Sequence, residues 1–293
     1  MSELSGLEVS SADGDVRYVP VNHLNHPGIA GGDFCAIAHE SRYQWAVERY
    51  DLTGKTVLDF GCGSGYGCAL LSEHAETVVG IDLSKTAIQF ARQRYGNHGT
   101  QFFEADLEQR EALEFLERKF DVIISFDVIE HTETYYSFMQ NISRMLSPDG
   151  VAAVGCPNRH QTFQFNNAWN PYHLQEFTPR QLRWLASLYF SSCELIGQDF
   201  RDPDRRRQIA NIRKSAGKKR SGLAKVARKW QKLVRKRHGK PSQSSMLTMD
   251  DMLFYSLNET ALPAQQPFGL ICECRRPKQA DEETGMRMQE DEI

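Results

Sequence analysis

Short apolar runs recur along the chain, each bounded by turn residues: KTVLDF at 55–60, ETVVGI at 76–81, QFFE at 101–104, DVIISF at 121–126 and VAAVG at 151–155. Runs this brief and this continuously apolar predict buried strands. Between them the spacing changes to a helical one. Ser84 can cap a helix carrying Ala87, Ile88, Ala91 and Tyr95 on one face, and Tyr135, Phe138, Met139, Ile142 and Leu146 form a second stripe. Thr178-Pro179-Arg180-Gln181 has an N-cap, a proline at the first helical position and a glutamine three residues on, which together make a capping box. Two further strands are predicted at 191–198 and at 268–274 (FGLICEC). Strands and helices in alternation predict an α/β fold, a doubly wound and mostly parallel sheet with helices on both faces.

Flanking segments read differently. Residues 1–34 carry turn residues and little periodicity, an N-terminal arm; residues 277–293 are acidic and predict a disordered tail. The main domain is expected over 35–198 and 268–276, interrupted by an insertion at 199–267. Charge makes that insertion conspicuous. The chain carries a net −3, but residues 201–240 hold 17 Lys/Arg against Asp202 and Asp204, a net +15, which leaves −18 elsewhere. Within 221–240, Leu223, Val226, Trp230 and Leu233 share one stripe among basic residues, the pattern of an amphipathic helix on an anionic membrane surface. RNA phosphates would attract the same charge, but no aromatic-rich platform accompanies it, so RNA is the weaker expectation. The apolar stripe could equally pack on the domain, with its lysines simply solvated.

Seven cysteines (35, 62, 68, 156, 193, 272, 274) are odd in number, scattered and without a CxxC pair, which argues against a disulfide framework and a zinc ribbon. The polar start MSELSGLEVSSADGD does not read as a signal peptide, and no window of about 18 apolar residues occurs. These features predict a cytoplasmic protein, peripheral at most at the inner membrane face.

The chemistry concentrates in VLDFGCGSGYG, residues 57–67, where a strand ends, glycines turn the chain and a helix begins near Tyr66. Glycine lets the backbone approach a ligand closely. Asp82 closes the second strand at a position where a carboxylate accepts hydrogen bonds from ribose hydroxyls, and Asp106 follows the third strand. A dinucleotide fingerprint would need glycine where Tyr66 stands. The pattern Asp59-x-Gly61-x-Gly63-x-Gly65 instead resembles the S-adenosylmethionine site of class I methyltransferases, as do GID at 80–82, ADL at 105–107, FDVIISFDVIEHT at 120–132 and LSPDG at 146–150. That resemblance implies a seven-stranded sheet whose last strand is antiparallel. It also implies that Gly61, Gly63 and Gly65 meet the methionine moiety, Asp82 the ribose, and Asp106 with Leu107 the adenine. Asp59, Leu83 and Asp127 complete the expected cofactor set, and the cofactor is S-adenosyl-L-methionine.

Methyl transfer to a hydroxyl needs a base. His131 in DVIEH is the first candidate, with Tyr172 and His173 expected to contact the acceptor. Asp127, Glu130, His131 and His173 together would also suit a divalent cation. This is similar to the E-x-x-E-H set of metal-dependent small-RNA 2′-O-methyltransferases, with Asp127 one methylene short. The stretches PYHLQEFTPRQL and GLICECRRP look like members acting on bacterial glycans and related small molecules. The expected function is therefore O-methylation of a sugar or glycan intermediate, free or lipid-linked. The alternatives are a metal-using RNA 2′-O-methyltransferase and a catalytically silent binding module of the same fold.

Overall fold

The computed structural model describes residues 34–96, 99–116, 118–161, 173–204, 207, 251–257 and 267–278. The expectations for the arm at 1–33, Tyr172, the basic stripe at 221–240 and the acidic tail beyond 278 lie outside these residues.

Strands β1 (Thr56–Phe60), β2 (Thr77–Asp82), β3 (Thr100–Glu104), β4 (Phe120–Phe126), β5 (Leu146–Pro157), β6 (Phe190–Phe200), β7 (Met252–Ser256) and β8 (Gly269–Pro277) form one sheet in the order β3-β2-β1-β4-β5-β8-β6-β7. The first five pair in parallel; β8 runs antiparallel to β5 and β6, and β7 antiparallel to β6. The parallel strands are buried almost throughout, which explains their unbroken apolar sequences. Among the described residues there are eight strands where seven were expected. The additional one, β7, comes from within the 199–267 insertion and pairs along the outer edge of β6.

Helices α1 (Phe34–Arg49), α2 (Tyr66–Ser72) and α3 (Lys85–Tyr95) cover one face, where Tyr43, Ala46, Leu71, Ile88 and Ala91 pack on Val57, Val78 and Ile124. Helices α4 (Tyr135–Met145) and α5 (Pro179–Tyr189) cover the other, with Phe138, Met139, Ile142, Leu182 and Leu185 against Leu58, Val79 and Ile123. The predicted starts are present: Ser84 Oγ accepts from Ala87 N, and Thr178 and Gln181 form the reciprocal capping box. The strand order reverses between β1 and β4. Open α/β sheets bind ligands at such a switch point, beyond the carboxyl ends of the strands.

Candidate active site

The turn after β1 is built on positive φ angles at Gly61 (96°), Gly63 (52°) and Gly65 (82°). Each glycine answers a different constraint. A Cβ at Gly61 would lie 2.4 Å from Val128 Cγ2, and one at Gly65 would lie 2.7 Å from Ala91 Cβ, so both are packing positions. A Cβ at Gly63 would meet nothing within 4 Å, so the turn is open there. Gly67 has an ordinary φ, yet a Cβ on it would fall 2.2 Å from the Tyr43 ring; it lets α1 seat against α2.

Asp82, 2% exposed, accepts from Gly63 N (2.9 Å) through Oδ2 and from Ser84 N (2.8 Å) through Oδ1. It thereby fixes the open turn as well as facing it. Leu83 beside it is 56% exposed. Asp106 is partly exposed and accepts from Glu108 N at 2.9 Å, and Leu107 O accepts from Asn141 Nδ2 at 3.0 Å.

Asp59 requires a correction: it was expected among the cofactor contacts, but its carboxylate is wholly buried. It accepts from the Tyr43 hydroxyl (3.1 and 3.2 Å) and the Cys68 thiol (3.3 Å). Burial pushes its carboxyl up to about 7, against those hydrogen bonds, which pull it down. Because the folded form holds its proton where the unfolded one has lost it, stability falls as pH rises from about 4 to about 7, by on the order of 4 kcal/mol, and is flat beyond. Asp59→Asn is expected to remove that slope from denaturant midpoints measured between pH 4 and 8. An unchanged slope would count against the assignment.

The second wall follows β4. Asp127 has φ 56°, and its N–H donates to Gly155 O at 2.9 Å. Its Oδ1 lies 2.5 Å from Arg42 Nη1, and Oδ2 lies 3.8 Å from His39 Nε2. Burial alone would raise this carboxyl, but the Arg42 charge, then those of His39 and His131, hold it below the ordinary value. Arg42 is itself fixed by Nε, which donates to Gln198 Oε1 at 2.7 Å. His39 Nδ1 is hydrogen-bonded to the Tyr66 hydroxyl, and Nε2 lies 3.1 Å from Phe126 O. Sequence analysis missed His39, Arg42 and Tyr43, all from α1.

Glu130 is 1% exposed, and neither of its carboxyl oxygens has a hydrogen-bond partner among the described residues. Burial first, and the Asp127 charge second, push its pKa well above the usual carboxylate range. Its backbone carbonyl accepts from Leu174 N at 2.9 Å, and Gln175 Nε2 donates to Ile129 O (3.1 Å) and Thr132 O (3.0 Å). These bonds bring the distant HLQE segment to DVIEH. His173 therefore lies 5.0 Å from His131, edge to face between ring centroids, and its Nδ1 sits 2.9 Å from Glu176 Oε1. An ionised Glu176 only accepts, which places the proton on Nδ1 of His173. Glu176 is a further residue that sequence analysis passed over. Candidate ligand atoms of Glu130, His131 and His173 all lie within 4.8 Å of one another. Asp127, the fourth member of the expected metal set, does not join them and is committed to Arg42.

An open glycine turn, a carboxylate at the end of β2 and a histidine pair past β4 thus all lie beyond the carboxyl ends of strands beside the switch point. Comparison with known proteins identifies the family. A family model described as "Methyltransferase domain" matches residues 35–189. A protein of Mycolicibacterium smegmatis named "Probable S-adenosylmethionine-dependent methyltransferase" is 33% identical over 162 residues, 53% of this chain and 58% of that one. A "Ubiquinone biosynthesis O-methyltransferase" of Chelativorans sp. is 34% identical over 143 residues, 49% of this chain and 55% of that one. The chain spans about half the length of the curated relatives it matches. Among solved structures the 4+2 cyclase SpnF shares the fold, with a TM-score of 0.51 and 17% identity over 87% of this chain and 86% of that one. On the family match and its glycine and acid framework, this chain belongs to the class I S-adenosylmethionine-dependent methyltransferases.

Proposed function

We propose that the protein transfers a methyl group from S-adenosyl-L-methionine to a hydroxyl oxygen of a small-molecule acceptor, of the sugar or glycan class, with His131 as general base. The residues present suit the cofactor. Gly63 leaves open space beside Asp82, whose carboxylate is positioned for ribose hydroxyls, and the exposed Leu83 and the Asp106-Leu107 turn extend the same rim. When bound, the cofactor supplies a methyl group already activated on a sulfonium. The protein's share is then alignment and removal of the acceptor proton.

The observation that carries the reading is the His131–His173 pair at the carboxyl end of β4, on the loop whose Val128 touches Gly61. A base beside the methyl-donor turn is what a hydroxyl acceptor needs. Glu176 holds His173 in one tautomer, so its Nε2 lone pair stays available to orient the acceptor hydroxyl or His131. Relatives named as ubiquinone biosynthesis O-methyltransferases support a small-molecule oxygen acceptor. The glycan class rests on the PYHLQEFTPRQL and GLICECRRP stretches. Attachment to anionic lipid through 221–240 would put the enzyme beside lipid-linked sugars.

A second reading has its own observation. Glu130 is a buried carboxyl without a partner among the described residues, and it shares a 4.8 Å cluster with His131 and His173, so the three could hold a divalent cation that activates the hydroxyl. One experiment separates them. The protein is incubated with S-adenosylmethionine and panels of phenols, free sugars, lipid-linked sugars and short RNAs, with and without chelator, and S-adenosylhomocysteine release is measured. Turnover on sugars that persists in chelator is the expected result. Turnover only on RNA, or activity abolished by chelator and restored by Mg²⁺ or Mn²⁺, would overturn the metal-free sugar assignment.

A further inference from the structure

Outside the candidate active site, the sheet assembles a second group of reactive side chains. Cys193 on β6 is paired directly across from Cys274 on β8, and Leu195 from Cys272. Residues two apart on a strand face the same way, so Cys272 and Cys274 point to one side, and both belong to the core that α5 covers. Their sulfurs are 3.7 Å apart. Cys193 joins them from the neighbouring strand, and all three Sγ atoms lie within 4.8 Å of one another. Cys272 and Cys274 are fully buried; Cys193 is partly exposed and provides the way in.

Three sulfurs bound to one cation at about 2.3 Å would be about 3.8–4.0 Å apart. The observed spacing needs only sub-ångström closure to reach that. Thiolate ligands select soft ions such as Cu(I) and Zn(II). Structural zinc takes four ligands, yet among the described residues no fourth His, Cys, Asp or Glu atom joins this cluster. We infer that Cys193, Cys272 and Cys274 form a three-coordinate site for a soft univalent cation, Cu(I) being the biological representative.

The protons and charges are consistent with this. Binding would form three metal–sulfur bonds and release to solvent the protons that the thiols carry. Three thiolates and one univalent cation leave a net −2, and the positive charges of Arg183 and Lys278 act on the cluster.

The test uses the full, reduced protein under anaerobic conditions, titrated with Cu(I) against a chromophoric Cu(I) chelator. A single tight equivalent with ultraviolet thiolate-to-metal absorption is expected, together with protection of Cys193 from a thiol-alkylating reagent. Cys193→Ser and Cys274→Ser should each weaken it by more than the 10–100-fold that loss of an outer partner costs. Cys193→Ser alters a half-exposed position and should fold normally by circular dichroism, which keeps the test valid if Cys274→Ser does not fold. Cys156→Ser should bind as the parent does. Failure to retain Cu(I), equal affinity in Cys193→Ser, or tighter binding of Zn²⁺ than Cu(I) would overturn the proposal. The Cys variants and the sulfur absorption distinguish this site from the histidine pair, so the outcome is independent of the methyl-transfer assignment.

Discussion

Replacing His131 with alanine is expected to lower kcat by about 10²–10⁴-fold, the usual contribution of a general base. Affinity for S-adenosylmethionine should stay within a factor of about two, because the residues proposed to hold it, Gly63, Asp82 and Leu83, follow β1 and β2 rather than β4. Steady-state kinetics and calorimetry measure the two quantities separately. A pH limb of the rate that is present in the parent and absent in His131→Ala would assign that limb to His131. A kcat within threefold of the parent would remove His131 as base and turn attention to His173, whose tautomer Glu176 fixes.

A large loss of stability is expected at Gly65, and a contrasting effect at Gly63. Gly65→Ala would put a Cβ 2.7 Å from Ala91 Cβ and 2.8 Å from Phe102 Cε1, at a φ of 82°. Left-handed backbone costs an alanine about 1–2 kcal/mol and overpacking about 1–3 more, so a loss of about 2–5 kcal/mol should appear in urea denaturation. Gly63→Ala has the same strain but no clash, since nothing lies within 4 Å of the added methyl. Its stability loss should be only about 1–2 kcal/mol. Its methyl would instead occupy the open part of the turn and weaken cofactor binding by about 1–3 kcal/mol, roughly 5- to 150-fold by calorimetry. Equal stability in the two variants, or unchanged affinity in Gly63→Ala, would refute this division of roles.

What could be seen in the sequence follows from how local each signal is. The β1 to β5 strands are short, apolar and bounded by turns, and the Thr178 capping box is contained in four residues, so both could be recognised without the fold. The glycine turn and Asp82 were legible for the same reason. Helix α1 was not, because its buried face mixes Ser41 and Arg42 with Tyr43 and Ala46, and their partners Gln198, Asp127 and Asp59 lie far along the chain. Strand β7 was hidden by half-exposed residues at a sheet edge, beside a stretch dominated by charge. Asp59 was misplaced because its motif position says nothing about the Tyr43 hydroxyl that claims it. The cysteines looked scattered because only cross-strand register brings Cys193 to Cys274, while Cys272 joins through the period of two along β8.

Among the described residues no helix is long and apolar enough to cross a membrane. The strongly basic stretch is instead attached at the far edge of the sheet, and the manner of attachment has a consequence. Phe200 at the end of β6 pairs with Met252 at the start of β7, and Arg201 N donates to Asp251 O at 2.8 Å. The chain leaves and re-enters the sheet at adjacent points, so the intervening segment is closed at its base. Closing such a loop costs entropy that grows only with the logarithm of its length, about 0.6 kcal/mol for each doubling. The segment carrying 17 basic residues can therefore lengthen, shorten or be exchanged at little thermodynamic cost, without changing the register of any strand beside the candidate active site. Sequence change in the basic segment is thereby uncoupled from the strands that carry the candidate cofactor site.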